Sequence, residues 1–186
     1  KSLAVKKALV EDEKIVEKIK DVAELIEKKY RQGNKLLIAG NGGSAGDSQH
    51  IAAEFVSRFF YDRPGLPAIA LTTDTSMLTA IGNDYGYRNL FSRQIQAQGN
   101  SGDIFIGIST SGNSENIIEA VNEAKKLDIT TVAFCGQGGI LSSLVDFAIS
   151  APSKSTPLIQ ECHIVIGHII CGLVEERIFP KEKLDV

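Results

Sequence analysis

Two kinds of apolar spacing divide this chain. Over residues 3–31, Leu3, Val5, Ala8, Leu9, Ile15, Val16, Ile19, Val22, Ala23, Leu25 and Ile26 recur mostly at three- and four-residue steps among lysines and glutamates. That period predicts one long amphipathic helix, stopped near Gly33 and Asn34. Beyond it the pattern shortens to apolar runs at 35–40 (KLLIAG), 67–71 (PAIAL), 103–109 (DIFIGIS), 130–136 (TTVAFCG) and 147–152 (FAISAP). These runs are mostly continuous rather than alternating, as in strands buried on both faces. Helical patterns separate them at about 44–60, 86–98 and 114–127, with shorter ones near 75–81 and 139–145. Alternation of this kind predicts an α/β fold, a parallel sheet with helices on both sides. A last helix is expected from after Ser155, with Pro157 in its first turn, to about Phe179. It is apolar nearly all round from Ile164 to Val174, so it should be buried; with the long first helix it suggests a homo-oligomer whose terminal helices pack between subunits.

With 186 residues and 43% hydrophobic content, one soluble domain is expected: residues 1–33 form an N-terminal helix and 34–186 an α/β core with a C-terminal helix. A net charge of −3 gives no general attraction to nucleic acid or anionic membrane, so an anionic ligand needs a local site. The first twenty residues interleave charge with apolar positions, unlike a signal peptide, and the apolar stretch 164–174 is shorter than the roughly 20 residues that span a bilayer. A cytoplasmic protein is the expectation. Cys135, Cys162 and Cys171 form no metal-type pair and leave an odd one over, which reads as buried thiols.

In an open parallel sheet, ligands bind beyond the carboxyl ends of the strands. Two loops lie there. One is AGNGGSAGDSQ after the run at 35–40, and the other is GISTSGNSEN at 107–116. In the second, Gly112 permits a tight turn, while Ser109, Thr110, Ser111 and Ser114 gather hydroxyls where a helix begins. Backbone N–H groups at that helix start would face an anion, so the loop reads as a phosphate nest built without lysine or arginine. The plainer alternative is that Ser114 caps its helix and the other hydroxyls decorate a turn.

Gly40, Gly42 and Ala45 in the first loop also match a dinucleotide fingerprint. Its acidic partner is missing: Asp74 comes more than 30 residues later, and Asp62 is not at a strand end. No nucleotide cofactor is therefore expected. His50 and Glu54 share one helix face just after this loop and are either a surface pair or part of the crevice. On the last helix Gln160 and His168 lie about 80° apart around the axis. His168, in an apolar stretch, needs a partner or a function, whereas His163 reads as structural.

The segments GNGGSAGDSQHIAAE, LPAIALTTDTSMLTAIGNDYG, FSRQI, GISTSGNSENI and IQECHIVIGH together resemble the phosphoheptose isomerases of the SIS (sugar isomerase) family, in order, from Gly33 to Glu175. Gly46 and Ser48 stand where that family's pattern suggests alanine. The resemblance implies a three-layer, flavodoxin-like sandwich with a five-stranded parallel sheet and long terminal helices. It also implies that Ser44, Ser109, Thr110, Ser111 and Ser114 hold a sugar phosphate, and that Asn41, Gly42, Gly43, Asn83, Asp84, Glu54 and Gln160 line the sugar. Glu54 and His168 match the acid and base positions, with Glu54 assigned to the C–H bond and the reverse assignment open. His50, Glu54, Gln160 and His168 match a zinc site. The activity implied is conversion of sedoheptulose 7-phosphate to D-glycero-D-manno-heptose 7-phosphate through an enediol, at the start of bacterial ADP- or GDP-heptose synthesis for lipopolysaccharide or capsule, by a homotetramer. Some SIS proteins bind without isomerising, including one that binds a replication initiator; the complete set of Glu54, His168 and the arginine-free hydroxyl loop favours an enzyme here.

Overall fold

The computed structural model describes residues 1–181. Five parallel strands, β1 (Leu36–Gly40), β2 (Ala68–Ala70), β3 (Ile104–Ser109), β4 (Thr130–Cys135) and β5 (Phe147–Ser150), lie in the order β2-β1-β3-β4-β5. Pairing runs from Leu36 opposite Ile104 to Gly40 opposite Ile108, so the strands β1 and β3 finish side by side. Asp103 fixes this register from below, accepting from the backbone N–H of Lys35 (3.0 Å) and Asn100 (2.9 Å) and from Lys35 Nζ (2.6 Å).

Alternate residues of each strand feed two cores. Leu36, Ile38, Ile104, Ile106, Val132 and Ile149 face a layer made by α2 (Glu13–Arg31), α3 (Gly43–Val56) and α8 (Thr156–Ile178). Leu37, Ala39, Phe105 and Ala133 face the opposite layer, where α5 (Leu90–Gln98), α6 (Glu115–Lys126) and the short α7 (Leu141–Leu144) pack. This is the expected three-layer sandwich, its strands buried on both sides. Between β2 and α5 lie α4 (Thr75–Tyr85) and a 3₁₀ turn at Tyr87–Asn89, so the helix expected at 86–98 begins only at Leu90.

The expected single N-terminal helix is two. α1 (Ser2–Glu11) ends at Asp12, whose backbone leaves helical values (φ −84°, ψ 98°) and whose carboxylate accepts from the N–H groups of Lys14 (3.0 Å) and Ile15 (3.2 Å). Asp12 thus restarts the helix as an N-cap. α3 likewise stops at Val56 rather than residue 60.

By length and composition α8 could cross a membrane. It packs instead on α2 and α3, and it buries His163 and Glu175 among its apolar residues. His163 Nε2 meets the Cys135 carbonyl at 3.1 Å, and burial depresses its pKa to about 4, the bond to the carbonyl working weakly the other way. It is a neutral, structural imidazole. The three cysteines are buried, and burial pushes each thiol up.

Candidate active site

β1 delivers the chain into Asn41-Gly42-Gly43 and straight into α3. Gly42 turns at φ 56°, in the left-handed region where a side chain would be strained. Gly43 opens the helix directly beneath the Gln160 side chain, with Nε2 2.5 Å from where a Cβ would stand. Ser44 is buried in the first turn, and its carbonyl accepts from the Ser48 hydroxyl at 2.8 Å. A serine at 48, where alanine was expected, is therefore accommodated within the helix. Gly46 faces open space.

Farther along α3, His50 Nε2 and Glu54 Oε1 approach to 3.1 Å. The pair is more than a surface ornament, because α8 brings His168 Nε2 to 3.2 Å from His50 Nε2, the rings meeting edge to face at 5.0 Å. Donor atoms of His50, Glu54 and His168 all fall within 4.8 Å of one another. Two imidazole nitrogens and a carboxylate oxygen converging in this way match the donor set of a zinc ion with an open coordination position. The Phe59 ring also packs against His168, with ring centroids 5.4 Å apart. Next to this cluster, Phe59, Phe60, Tyr61, His168, Gly172 and Glu176 line a groove of about 750 Å³.

β3 delivers the second loop. Ser109 Oγ lies 2.8 Å from Ser114 Oγ and 3.5 Å from Ser111 Oγ, so three of the four expected hydroxyls converge. Ser114 occupies the N-cap position of α6, yet its hydroxyl makes no capping bond and turns to Ser109 instead. The Ser114 hydroxyl therefore does not serve as a side-chain cap, whereas Ser111 Oγ does brace the turn by accepting from the Asn113 N–H at 3.1 Å. Ile117 and Ile118 donate to the Ser114 carbonyl, which leaves the N–H groups of Glu115 and Asn116 to face an anion. Thr110 accepts from Gly136 N–H (3.2 Å) through its backbone carbonyl. Gly112 makes the turn at φ 66°, pressed against the Gly138 carbonyl.

One junction joins the two loops. Asn41 and Asn116 exchange a reciprocal pair of amide hydrogen bonds, each 2.9 Å, and the Tyr87 hydroxyl donates to Asn41 Oδ1 at 2.9 Å. Asn116 and Tyr87 escaped the sequence reading; Asn116 sits in the first turn of α6 right after the hydroxyl loop, but nothing local names its partner. Asn83 and Asp84 lie at the exposed end of α4 and bond to each other at 2.8 Å. The structure thus groups His50, Glu54 and His168, sets Gln160 over Gly43, clusters Ser109, Ser111 and Ser114, and leaves Asn83 and Asp84 paired together.

Half-buried Asp47 on α3 has one buried carboxylate oxygen without a partner among the described residues, and desolvation raises its pKa against a smaller opposing effect of His50.

Residues 2–136 match the SIS domain family. Over 186 residues the chain is 60% identical to a phosphoheptose isomerase of Aneurinibacillus thermoaerophilus, covering 94% of that protein. It superposes on the phosphoheptose isomerase structure from Neisseria gonorrhoeae with a TM-score of 0.88 at 42% identity, covering 94% of this chain and 93% of that one. The Francisella tularensis phosphoheptose isomerase gives 0.90 at 36% identity with the same coverage. Likeness at this identity, carried through both loops and the last helix, means that the chain belongs to the SIS domain family and, within it, to the phosphoheptose isomerases.

Proposed function

We propose that this protein interconverts sedoheptulose 7-phosphate and D-glycero-D-manno-heptose 7-phosphate in the cytoplasm, supplying ADP- or GDP-heptose for lipopolysaccharide or capsule. The observation that carries the reading is the pairing of a cation-free hydroxyl nest at the start of α6 with a carboxylate and an imidazole, Glu54 and His168, beyond the neighbouring strand. A phosphate would be held by Ser109, Ser111, Ser114 and the open N–H groups of α6, with Ser44 and Thr110 alongside, and the sugar chain would run toward α3 past Asn41, Gly42, Gly43 and Gln160. Asn83 and Asp84 would contact the sugar from α4.

Moving the carbonyl from C2 to C1 requires loss of a proton from C1, protonation at O2, loss of the O1 proton and delivery of a proton to C2. Glu54 fits the carbon-bound proton, because a carboxylate can take it and return it to the adjacent carbon of a cis-enediol. His168 fits the oxygens, taking a proton from one as it supplies the other. Each role contributes roughly 10²–10⁴ in rate. His50, Glu54 and His168, with Gln160 as a fourth ligand, would hold zinc; when bound, such an ion supplies Lewis-acid stabilisation of negative charge on the substrate oxygens. A homotetramer belongs to this reading. It is supported by large apolar side chains left uncovered near the groove and on the terminal helices, among them Leu3 (81% exposed), Val10 (59%) and Phe60 (75%).

Incubation with sedoheptulose 7-phosphate in D2O, followed by proton NMR, tests the function. Aldose should accumulate with deuterium at C2, and Glu54→Gln or His168→Asn should lower turnover by about 10²-fold or more while the fold persists. Near-normal turnover in both variants refutes the assigned site. Loss of activity on chelation, restored by zinc, supports the metal; indifference to the chelator counts against it.

A further inference from the structure

The proton-transfer scheme leaves Arg63 and Glu175 unused, yet their side chains are only 2% and 1% exposed. Burying two charges is costly, and an apolar pair of similar volume would serve stability as well or better. Something other than stability is needed to explain an ion pair here, and its hydrogen bonds show where it acts.

Arg63 Nε donates to Glu175 Oε1 at 3.0 Å. The rest of the guanidinium is spent on backbone: its two terminal nitrogens donate to the carbonyls of Glu54 (2.8 Å), Phe55 (2.6 Å), Ser57 (3.0 Å) and Pro64 (3.1 Å). The carbonyls of Glu54 and Phe55 belong to the last turn of α3, where no further intrahelical donor follows. Arg63 therefore closes the end of α3 at the residue assigned to the carbon-bound proton. Glu175 in turn accepts from the N–H groups of Phe59 (2.8 Å) and Phe60 (2.7 Å), which sets the Phe59 ring against His168. Glu175 and His168 are both on α8, two helical turns apart. Burial disfavours the Glu175 charge, but these N–H donors and Arg63 outweigh it and hold the carboxyl below its ordinary pKa.

We infer that Arg63 and Glu175 are positioning residues: together they lock the Glu54 backbone on α3 and the Phe59 support of His168 to a single register of α8, and so fix the geometry between the two groups that move protons. The inference rests on the assignment of Glu54 given above. Neither residue touches substrate in this account. Lysine at 63 keeps the charge beside Glu175 but cannot fork to several carbonyls, so the clamp loosens without leaving a buried unpaired carboxylate.

The test measures isomerisation by intact Arg63→Lys and Glu175→Gln proteins, each alone and combined with Glu54→Gln, alongside thermal melting. Folded Arg63→Lys should lose about 10- to 100-fold in kcat with KM within about twofold of the parent. In the Glu54→Gln background the same change should alter the residual rate by less than about twofold, because the geometry it fixes, that of Glu54 relative to His168, no longer has its carboxylate. A merely structural role lowers the active fraction, and so the rate, equally in both backgrounds; that result, or a kcat within about twofold of the parent, overturns the inference. If Arg63→Lys does not fold, Glu175→Gln, which keeps the shape but only one of the two acceptor oxygens, is judged by the same criteria. Turnover retained in Glu54→Gln alone removes the assignment on which the clamp depends, and is recognised before either clamp variant is read.

Discussion

Adding one methyl group to Gly43 should silence the site while leaving the fold intact. The residue opens α3 with an ordinary negative φ, so alanine there is unstrained and a better helix former. Its Cβ, however, would stand 2.5 Å from Gln160 Nε2 and 3.0 Å from both Cδ and Oε1, where comfortable contact begins near 3.4 Å. The neighbour is the far end of a flexible side chain, so the amide retreats by about 1 Å at little cost to stability. Displacement of that size in a group that positions a reacting substrate costs about 10²-fold. Gly43→Ala should therefore melt within about 2 °C of the parent but show kcat/KM reduced about 100-fold in the NMR or a coupled assay. In a Gln160→Ala background the collision no longer exists, and Gly43→Ala should change kcat/KM by less than about threefold. Equal losses with and without Gln160, or kcat/KM within about threefold of the parent in the single variant, would refute the reasoning.

Ser114→Ala removes a hydroxyl that bonds Ser109 rather than capping α6, so its melting temperature should move by no more than about 2 °C while KM rises about 10-fold or more; an unchanged KM would show that the nest does not hold the phosphate. His163, with a pKa of about 4 in the fold against an ordinary 6.5, binds its proton more readily in the unfolded chain. Its contribution is complete above pH 6.5 and is lost as pH falls toward 4, so between pH 7 and 4.5 the parent should lose about 2–3 kcal/mol that a His163→Gln variant does not. Urea melts at the two values measure this, and parallel losses in both proteins would count against a buried neutral His163.

Strands were legible because a strand buried on both faces has no polar alternation to hide it: LLIAG and IFIGIS announce themselves. The break at Asp12 was less so, since the apolar period continues across it in α1 and α2 and only the cap chemistry of Asp12 marks the interruption. Within the site, His50 and Glu54 could be placed on one face from spacing alone, whereas the arrival of His168 depends on how α8 lies over α3, a matter of packing. The reciprocal amides of Asn41 and Asn116 and the ion pair of Arg63 with Glu175 have partners 75 and 112 residues apart. A polar residue named by its neighbour in space carries no local signature. Glu175, in the sequence GLVEERIF, looks like the ordinary solvated end of a helix, and only the fold reveals a buried carboxylate there.

The position of α8 has a consequence for the order in which the chain is made. All five strands, both glycine loops and the ligand-bearing stretch of α3 are synthesised before residue 156, but Gln160 and His168 arrive with the last described helix. Until α8 docks, its share of the core beside Ile51 and Phe55 is missing, so a nascent chain displays a sticky apolar face and has half of the acid–base pair proposed above. Competence thus appears only once α8 has been made and docked, and a chain interrupted before it carries a chaperone's problem rather than a slow enzyme.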